Sequence, residues 1–170
     1  MRAIELIRWA MQLSDEGTAR LVEQMRHAPL TQPTPGAQGG GNHPLWILGH
    51  LAVLEGAIPS IILGEESGPH PVEHWRPLFG TGTRPRPDAG AYPPFDELLS
   101  TLRRLRARNL ALLDELGEEG LDRVPRAVPP GFEDVMKTAG HTLLLISLHQ
   151  MVHYGQIADA RRVAGLSPLV

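Results

Sequence analysis

The sequence predicts an all-α fold, a bundle of four long helices, on three observations. Apolar residues recur every three to four positions in four stretches, near 3–27, 43–63, 94–117 and 141–163. Proline and glycine collect between those stretches. No segment alternates apolar with polar residues over the length of a strand. Two helix pairs packed across a common seam bury their apolar sides and leave no sheet edge. At 170 residues the chain has the size of one domain, spanning 1–170, and no internal repeat points to a solenoid.

The first helix is marked by Ile4, Ile7, Ala10, Met11, Leu21, Val22 and Met25, with Ser14 and Gly17 weakening its middle. Its charges are scattered among the apolar residues, which separates it from a signal peptide. His27 falls in the last turn, where the helix dipole favours a cation. Residues 28–42, with three prolines and four glycines, read as a loop across one end of the domain. The second helix opens at Asn42 or His43, with Pro44 in the first position, where a missing N–H costs nothing. Trp46, His50, Val53, Leu54, Ala57 and Ile61 then share one inward stripe.

Residues 64–93 form a long Pro/Gly-rich loop, expected to act as a wall or lid. Trp75, Phe79 and Tyr92 either staple it to the body or line a pocket, while Arg76, Arg84 and Arg86 suit an anionic small molecule. The prolines around His70 argue against a helical clamp with His74. The third helix shows a core side of Phe95, Leu98, Leu99, Leu102, Leu105, Leu110 and Leu113. Arg103, Arg104, Arg106 and Arg108 are expected to clothe its solvent side, balanced by the acidic residues from Asp114 to Glu119. A helical pattern restarts at Phe132, Val135 and Met136. Gly140 is expected to bend the entrance to the last helix, Gly155 to let it approach a neighbour closely, and Gly165 and Pro168 to end it.

Composition removes several classes of function. A formal net charge of −3, from 16 basic and 19 acidic residues, gives no field for nucleic acid. The absence of cysteine excludes disulfides and thiolate catalysis, fits a cytoplasmic protein, and leaves nitrogen and oxygen to hold any metal. The apolar segments LWILGHLAVL and AIPSIIL are interrupted and read as too short to span a membrane. Neither a dinucleotide-binding nor a P-loop motif is present, and no HExxH supplies a glutamate base.

The positive signal lies in the last helix. His149 and His153 are four residues apart, so their imidazoles share one helix face and can reach toward one point. A zinc or iron site needs at least a third protein ligand, and His50 on the inward stripe of the second helix is the best candidate. Gln156, two turns beyond His149, is placed to orient bound water or brace a ligand, or else to tie two helices together. His43, two turns before His50, is a candidate for proton transfer, with His141 ranked below it; either could instead cap a helix or satisfy a buried carbonyl.

Asn42-His43-Pro44-Leu45-Trp46-Ile47-Leu48-Gly49-His50-Leu51, followed about a hundred residues later by His149-Gln150-Met151-Val152-His153-Tyr154-Gly155-Gln156-Ile157, resembles the DinB-like superfamily of metal-dependent four-helix proteins. That resemblance implies an up-down-down-up bundle, a divalent metal (Zn, Ni, Fe or Mn) held by His50, His149 and His153, and a homodimer. Trp46 is expected near the metal end of the bundle, and Trp46 and Gln156 are the candidate cofactor-binding residues. Some relatives use the metal to activate a low-molecular-weight thiol for transfer or isomerisation. The expected function is therefore a metal-dependent enzyme joining a small thiol to an electrophile. A non-enzymatic metal-binding or stress-response protein is the first alternative, and a metal-dependent hydrolase using a carboxylate such as Glu55 is the second.

Overall fold

The computed structural model describes residues 1–33 and 41–167. It is all-helical, with no strand among the described residues: α1 (Ala3–Glu23), α2 (Pro44–Leu63), a short α3 (Arg76–Phe79), α4 (Phe95–Gly120) and α5 (Ala139–Val163). The four long helices are those read from the sequence. Short 3₁₀ turns at Gly64–Ser67, Glu73–Trp75 and Ala89–Ala91 punctuate the connection between α2 and α4.

Each boundary has a local cause. At the start of α2 the His43 side chain accepts from the Trp46 backbone N–H, and Pro44 follows at the first helical position. Thr138 caps α5 by accepting from the His141 N–H. Regular α4 geometry breaks at Gly117, whose φ of 61° lies in the left-handed region.

Named contacts fix how the helices run past one another. The backbone N–H of Ala3 donates to Glu118, while Arg26 reaches Asp96 at 2.7 Å, so α1 and α4 meet start to end. Asn109 of α4 holds Glu55 of α2, and Asn42, just ahead of α2, holds Gln156 near the end of α5. The core divides into two apolar clusters. One contains Val22, Leu48, Leu51, Leu98, Leu102 and Ile157. The other contains Ile7, Met11, Ile62, Leu113, Leu143 and Ile146. Pro44–Ser67 is long and apolar enough to cross a membrane by length and composition, contrary to the reading of its pieces as too short, but 72% of its most apolar window is buried inside this fold.

Several expectations are corrected. Phe132 and Val135 are exposed residues of a turn-rich connection with no helix. Gly140 lies in the first turn of α5 and does not interrupt it; its N–H donates to the Leu121 carbonyl. Gly155 faces open space, and the close approach occurs at Gly49, where a Cβ would lie 2.3 Å from the Phe79 ring. Arg106 is not a surface residue, being 1% exposed at the centre of the helices. Part of the 28–42 loop and the terminator Pro168 lie outside the described residues.

Candidate metal centre

His50 on α2 and His149 and His153 on α5 bring one ligand atom each within 4.8 Å of one another. The two rings of α5 stand 4.5 Å apart between centroids, as one turn of helix dictates, and the His50 ring lies 5.0 Å from that of His153. Two of the three rings are oriented from behind. The His50 Nδ1–H donates to the Phe79 carbonyl at 2.8 Å, which leaves its Nε2 with a free lone pair. Phe79 can come this close because position 49 carries no side chain. The His153 Nδ1–H donates to Gln156 Oε1 at 2.8 Å, and the same oxygen accepts from the Asn42 amide at 3.1 Å. Trp46 stacks on His50, with centroids 4.6 Å apart and planes 11° apart, and its indole N–H is spent on the Leu78 carbonyl and the Thr83 hydroxyl.

This donor set suits a cation. His153 Nε2 lies 3.2 Å from His149 Nε2, while His149 Nδ1 is buried with no partner. If His149 carries its proton on Nε2, it can donate to His153, but its Nδ1 lone pair is then sealed from water and unpaired. If the proton sits on Nδ1, two lone pairs face each other. Either state costs free energy, and an ion between the rings relieves the facing lone pairs. The imidazoles are also held neutral, as metal ligands must be. Burial, helped by the neighbouring histidines, pushes His149 down to about 4. Burial also pushes His153 down to about 4, against the pull of Gln156 in the other direction. His50 is lowered by burial as well, partly offset by its bond to Phe79.

The chain matches the profile of the DinB superfamily over residues 12–157. It belongs to that superfamily. A comparison with curated proteins finds no match. Within this DinB-superfamily chain the other histidines have structural places. His43 accepts the Trp46 N–H on Nδ1 and donates from Nε2 to the Arg86 carbonyl at 2.9 Å, so neither nitrogen is free to exchange a proton with a bound molecule. It caps a helix and satisfies a buried carbonyl, which replaces the proton-transfer role. His70 donates to the Val53 carbonyl at 3.0 Å, under Gly56, while His74 and His141 are exposed. Trp75, Phe79 and Tyr92 are buried staples of the 64–93 connection, and the Tyr92 hydroxyl accepts from the Arg86 N–H at 2.6 Å.

Sequence reasoning missed a buried polar layer next to the triad. Arg106 Nη2 lies 2.5 Å from Glu55 Oε1 and also donates to Gln150 Oε1, and Nη1 reaches Ser147 Oγ and the Met11 carbonyl at 3.3 Å each. Asn109 donates to the other Glu55 oxygen at 2.6 Å. Burial raises the Glu55 carboxyl while Arg106 and Asn109 pull it back. A carboxylate so enclosed cannot serve as the base of a hydrolase, which removes Glu55 from that role. Helical phase was the available signal: Arg106 follows Leu102 by four positions and Leu99 by seven, inside the apolar arc of α4.

Proposed function

We propose that this protein is a metal-dependent enzyme whose divalent cation is held by His50, His149 and His153, and that it transfers a low-molecular-weight thiol to an electrophile. The observation that carries the metal reading is the convergence of three neutral imidazoles, two with Nδ1 already committed, on one buried point. Three nitrogen ligands leave coordination positions open, and zinc, nickel, ferrous iron and manganese are the ions to test. When bound, such an ion lowers the pKa of a coordinated water or thiol and polarises an electrophile. The chain's part is to hold three lone pairs in place through Phe79 and Gln156 and to exclude bulk water with Trp46 and the 64–93 connection. In the reaction the thiol proton passes to solvent, sulfur bonds to the electrophilic carbon, and the displaced electron pair leaves with the departing group or enters the acceptor. Among the described residues the candidate ligand group holds three histidines and no carboxylate, and Glu55 is tied up by Arg106 and Asn109, so the reading favours thiol transfer over hydrolysis by a glutamate base.

Protein purified without metal-affinity chromatography should carry metal that is lost in His50→Ala, His149→Ala and His153→Ala; full stoichiometry in all three soluble variants refutes the site. Calorimetry with a panel of thiols and metals, followed by assay with electrophiles, tests the reaction. Metal binding with no thiol binding under any ion favours the non-enzymatic alternative.

The helix directions fit an up-down-down-up four-helix bundle, and the reading places it in the cytoplasm. The reading includes a homodimer. α1 and α5 are neighbours, and both turn apolar side chains to solvent: Trp9 and Leu13 at 58% and 49% exposure, Leu148 and Val152 at 56% and 63%. Exposed apolar side chains on two adjacent helices suit a second copy of the chain. Sedimentation over a wide concentration range tests it, and an invariant mass near 18.6 kDa refutes it.

A further inference from the structure

We infer that the Arg106–Glu55 pair is the register pin of the metal centre: through Gln150 it sets the rotation and height of α5 against α2, and so the separation of His50 from His149 and His153. The inference rests on the three-histidine reading and assigns a positioning role to residues that touch neither metal nor substrate.

The layer lies where such a pin must act. In every long helix it separates the two apolar clusters: Ser14 precedes Ala19 and follows Met11, Glu55 falls between Val53 and Ile58, Arg106 and Asn109 between Leu105 and Leu112, Ser147 and Gln150 between Ile146 and Ile157. Apolar contacts are non-directional and tolerate sliding. A shift by one residue along a helix moves a side chain by about 1.5 Å and about 100°. Metal–ligand distances tolerate about 0.2 Å. The pin must therefore come from directional bonds, and Arg106 makes them to α1 at Met11, α2 at Glu55 and α5 at Ser147 and Gln150. Glu55 is five residues from His50 on α2, while Gln150 is next to His149 and three residues from His153 on α5. One guanidinium thus grips both ligand-bearing helices about one turn from the ligands.

Energetics favours this role over plain stabilisation. Arg106 and Glu55 are each 1% exposed, and removing two charges from water offsets much of their attraction. The layer is also imperfectly closed, since Arg106 Nε, Asn109 Oδ1 and Gln150 Nε2 are buried without partners. An apolar layer of equal volume would hold the helices together as well or better. What it would lack is direction.

The test uses the double variant Glu55→Leu/Arg106→Met, which removes both charges while keeping an apolar volume, and Gln150→Leu, which leaves the ion pair and its Ser147 contact intact and cuts the pair's stronger link to α5, the one beside His149. Both are compared with the wild type and His153→Ala by zinc competition titration and by the visible absorption of the cobalt-loaded protein. The expected result is wild-type helix content, a zinc affinity lower by about tenfold or more in the double variant and in Gln150→Leu, and a weakened or shifted cobalt band. A merely structural layer would move thermal stability and leave both metal readouts alone. If the double variant does not fold, Gln150→Leu decides. Wild-type affinity and cobalt spectrum in the folded variants overturn the register role. Wild-type affinity in His153→Ala overturns the triad beneath it, so the two failures are distinguishable.

Discussion

Two polar clusters among the described residues sit about a turn apart along α2 and α5 and are built in opposite ways. In the Glu55–Arg106–Asn109 layer a carboxylate meets a guanidinium and an amide, so charge is answered within the chain. At His50, His149 and His153 three groups of one kind meet, all lowered in pKa, with two Nε2 atoms 3.2 Å apart and no acid among them. In the first arrangement opposite charges answer each other within the chain, although Arg106 Nε, Asn109 Oδ1 and Gln150 Nε2 stay unpaired; in the second only like groups meet, and a cation would join them. Burial alone does not separate a structural polar cluster from a functional one. What separates them is whether a charge of the opposite sign is supplied by the chain.

Breaking each cluster should therefore have opposite consequences, and the largest expected effect lies in the balanced one. Arg106→Met leaves the Glu55 carboxylate buried without its counter-charge, and the expected loss is about 3–5 kcal/mol of metal-free stability. His149→Ala removes one of two facing imidazoles and should change metal-free stability by no more than about 1 kcal/mol. Denaturant titration of both apo-proteins checks the contrast, and equal losses contradict it.

Metal adds to the cost of breaking the triad. Zinc at about 100 times its Kd stabilises a protein that binds it only when folded by about 2.7 kcal/mol. The wild type should show that gain as a rise in Tm, and His50→Ala, His149→Ala and His153→Ala should not. A comparable zinc-dependent rise in any of the three contradicts the site.

Much of this contrast was legible in the sequence, for physical reasons that differ between its parts. The i, i+4 spacing of His149 and His153 fixes a shared face whatever the packing, and His43-Pro44 marks a helix start by local chemistry alone. His50 was read as inward from a stripe that α2 does not have: the helix is buried almost all round, and Leu54 and Ala57, two members of that stripe, are among its few half-exposed residues, so periodicity did not single His50 out and its pairing with His149 and His153 did. Arg106 was misread because charge type was weighed above helical phase. Its burial depends on Glu55, fifty-one positions earlier, so no local window contains both halves of the pair. The partners Phe79 and Gln156 illustrate the same limit. Gln156 lies on the ligand helix and was placed near the site, whereas Phe79 reaches His50 through a carbonyl, which every residue has.

Acid sharpens the comparison further. His149 and His153 titrate near 4 in the fold, against about 6.5 for an unfolded histidine. As pH falls through 6.5 the unfolded chain takes up protons that the folded one refuses, so stability is lost from about 6.5 down to about 4 and then levels off. The raised carboxyls of Asp15 and Glu55 work in the opposite sense, because their folded forms bind protons more readily. Comparing the wild type with His149→Ala/His153→Ala isolates the histidine contribution. The double variant should lose less stability across that window in urea titrations at fixed pH, and identical slopes refute the assignment.

The last contrast concerns two glycines on the ligand helices, and its Gly155 arm carries the smallest expected effect. Gly49 is fixed by the site: a Cβ there would lie 2.3 Å from the Phe79 ring, whose residue supplies the carbonyl that orients His50. Forcing a methyl into such a contact costs about 1–3 kcal/mol and should also weaken metal binding, because the Phe79 carbonyl must move. Gly155 has nothing within 4 Å of its added Cβ and lies on the exposed side of α5, between His153 and Gln156. With no contact to lose, Gly155→Ala restricts the unfolded chain and should stabilise the protein by about 0.5–1 kcal/mol. Zinc affinity should stay at the wild-type value, since neither the ligands nor their partners are touched. The exposed face that includes Gly155 is the one assigned to a second copy of the chain, so the measurement belongs at a concentration where sedimentation gives one species. A loss of stability there, together with a lower dimer mass, would show that the glycine is kept for close approach between two protomers.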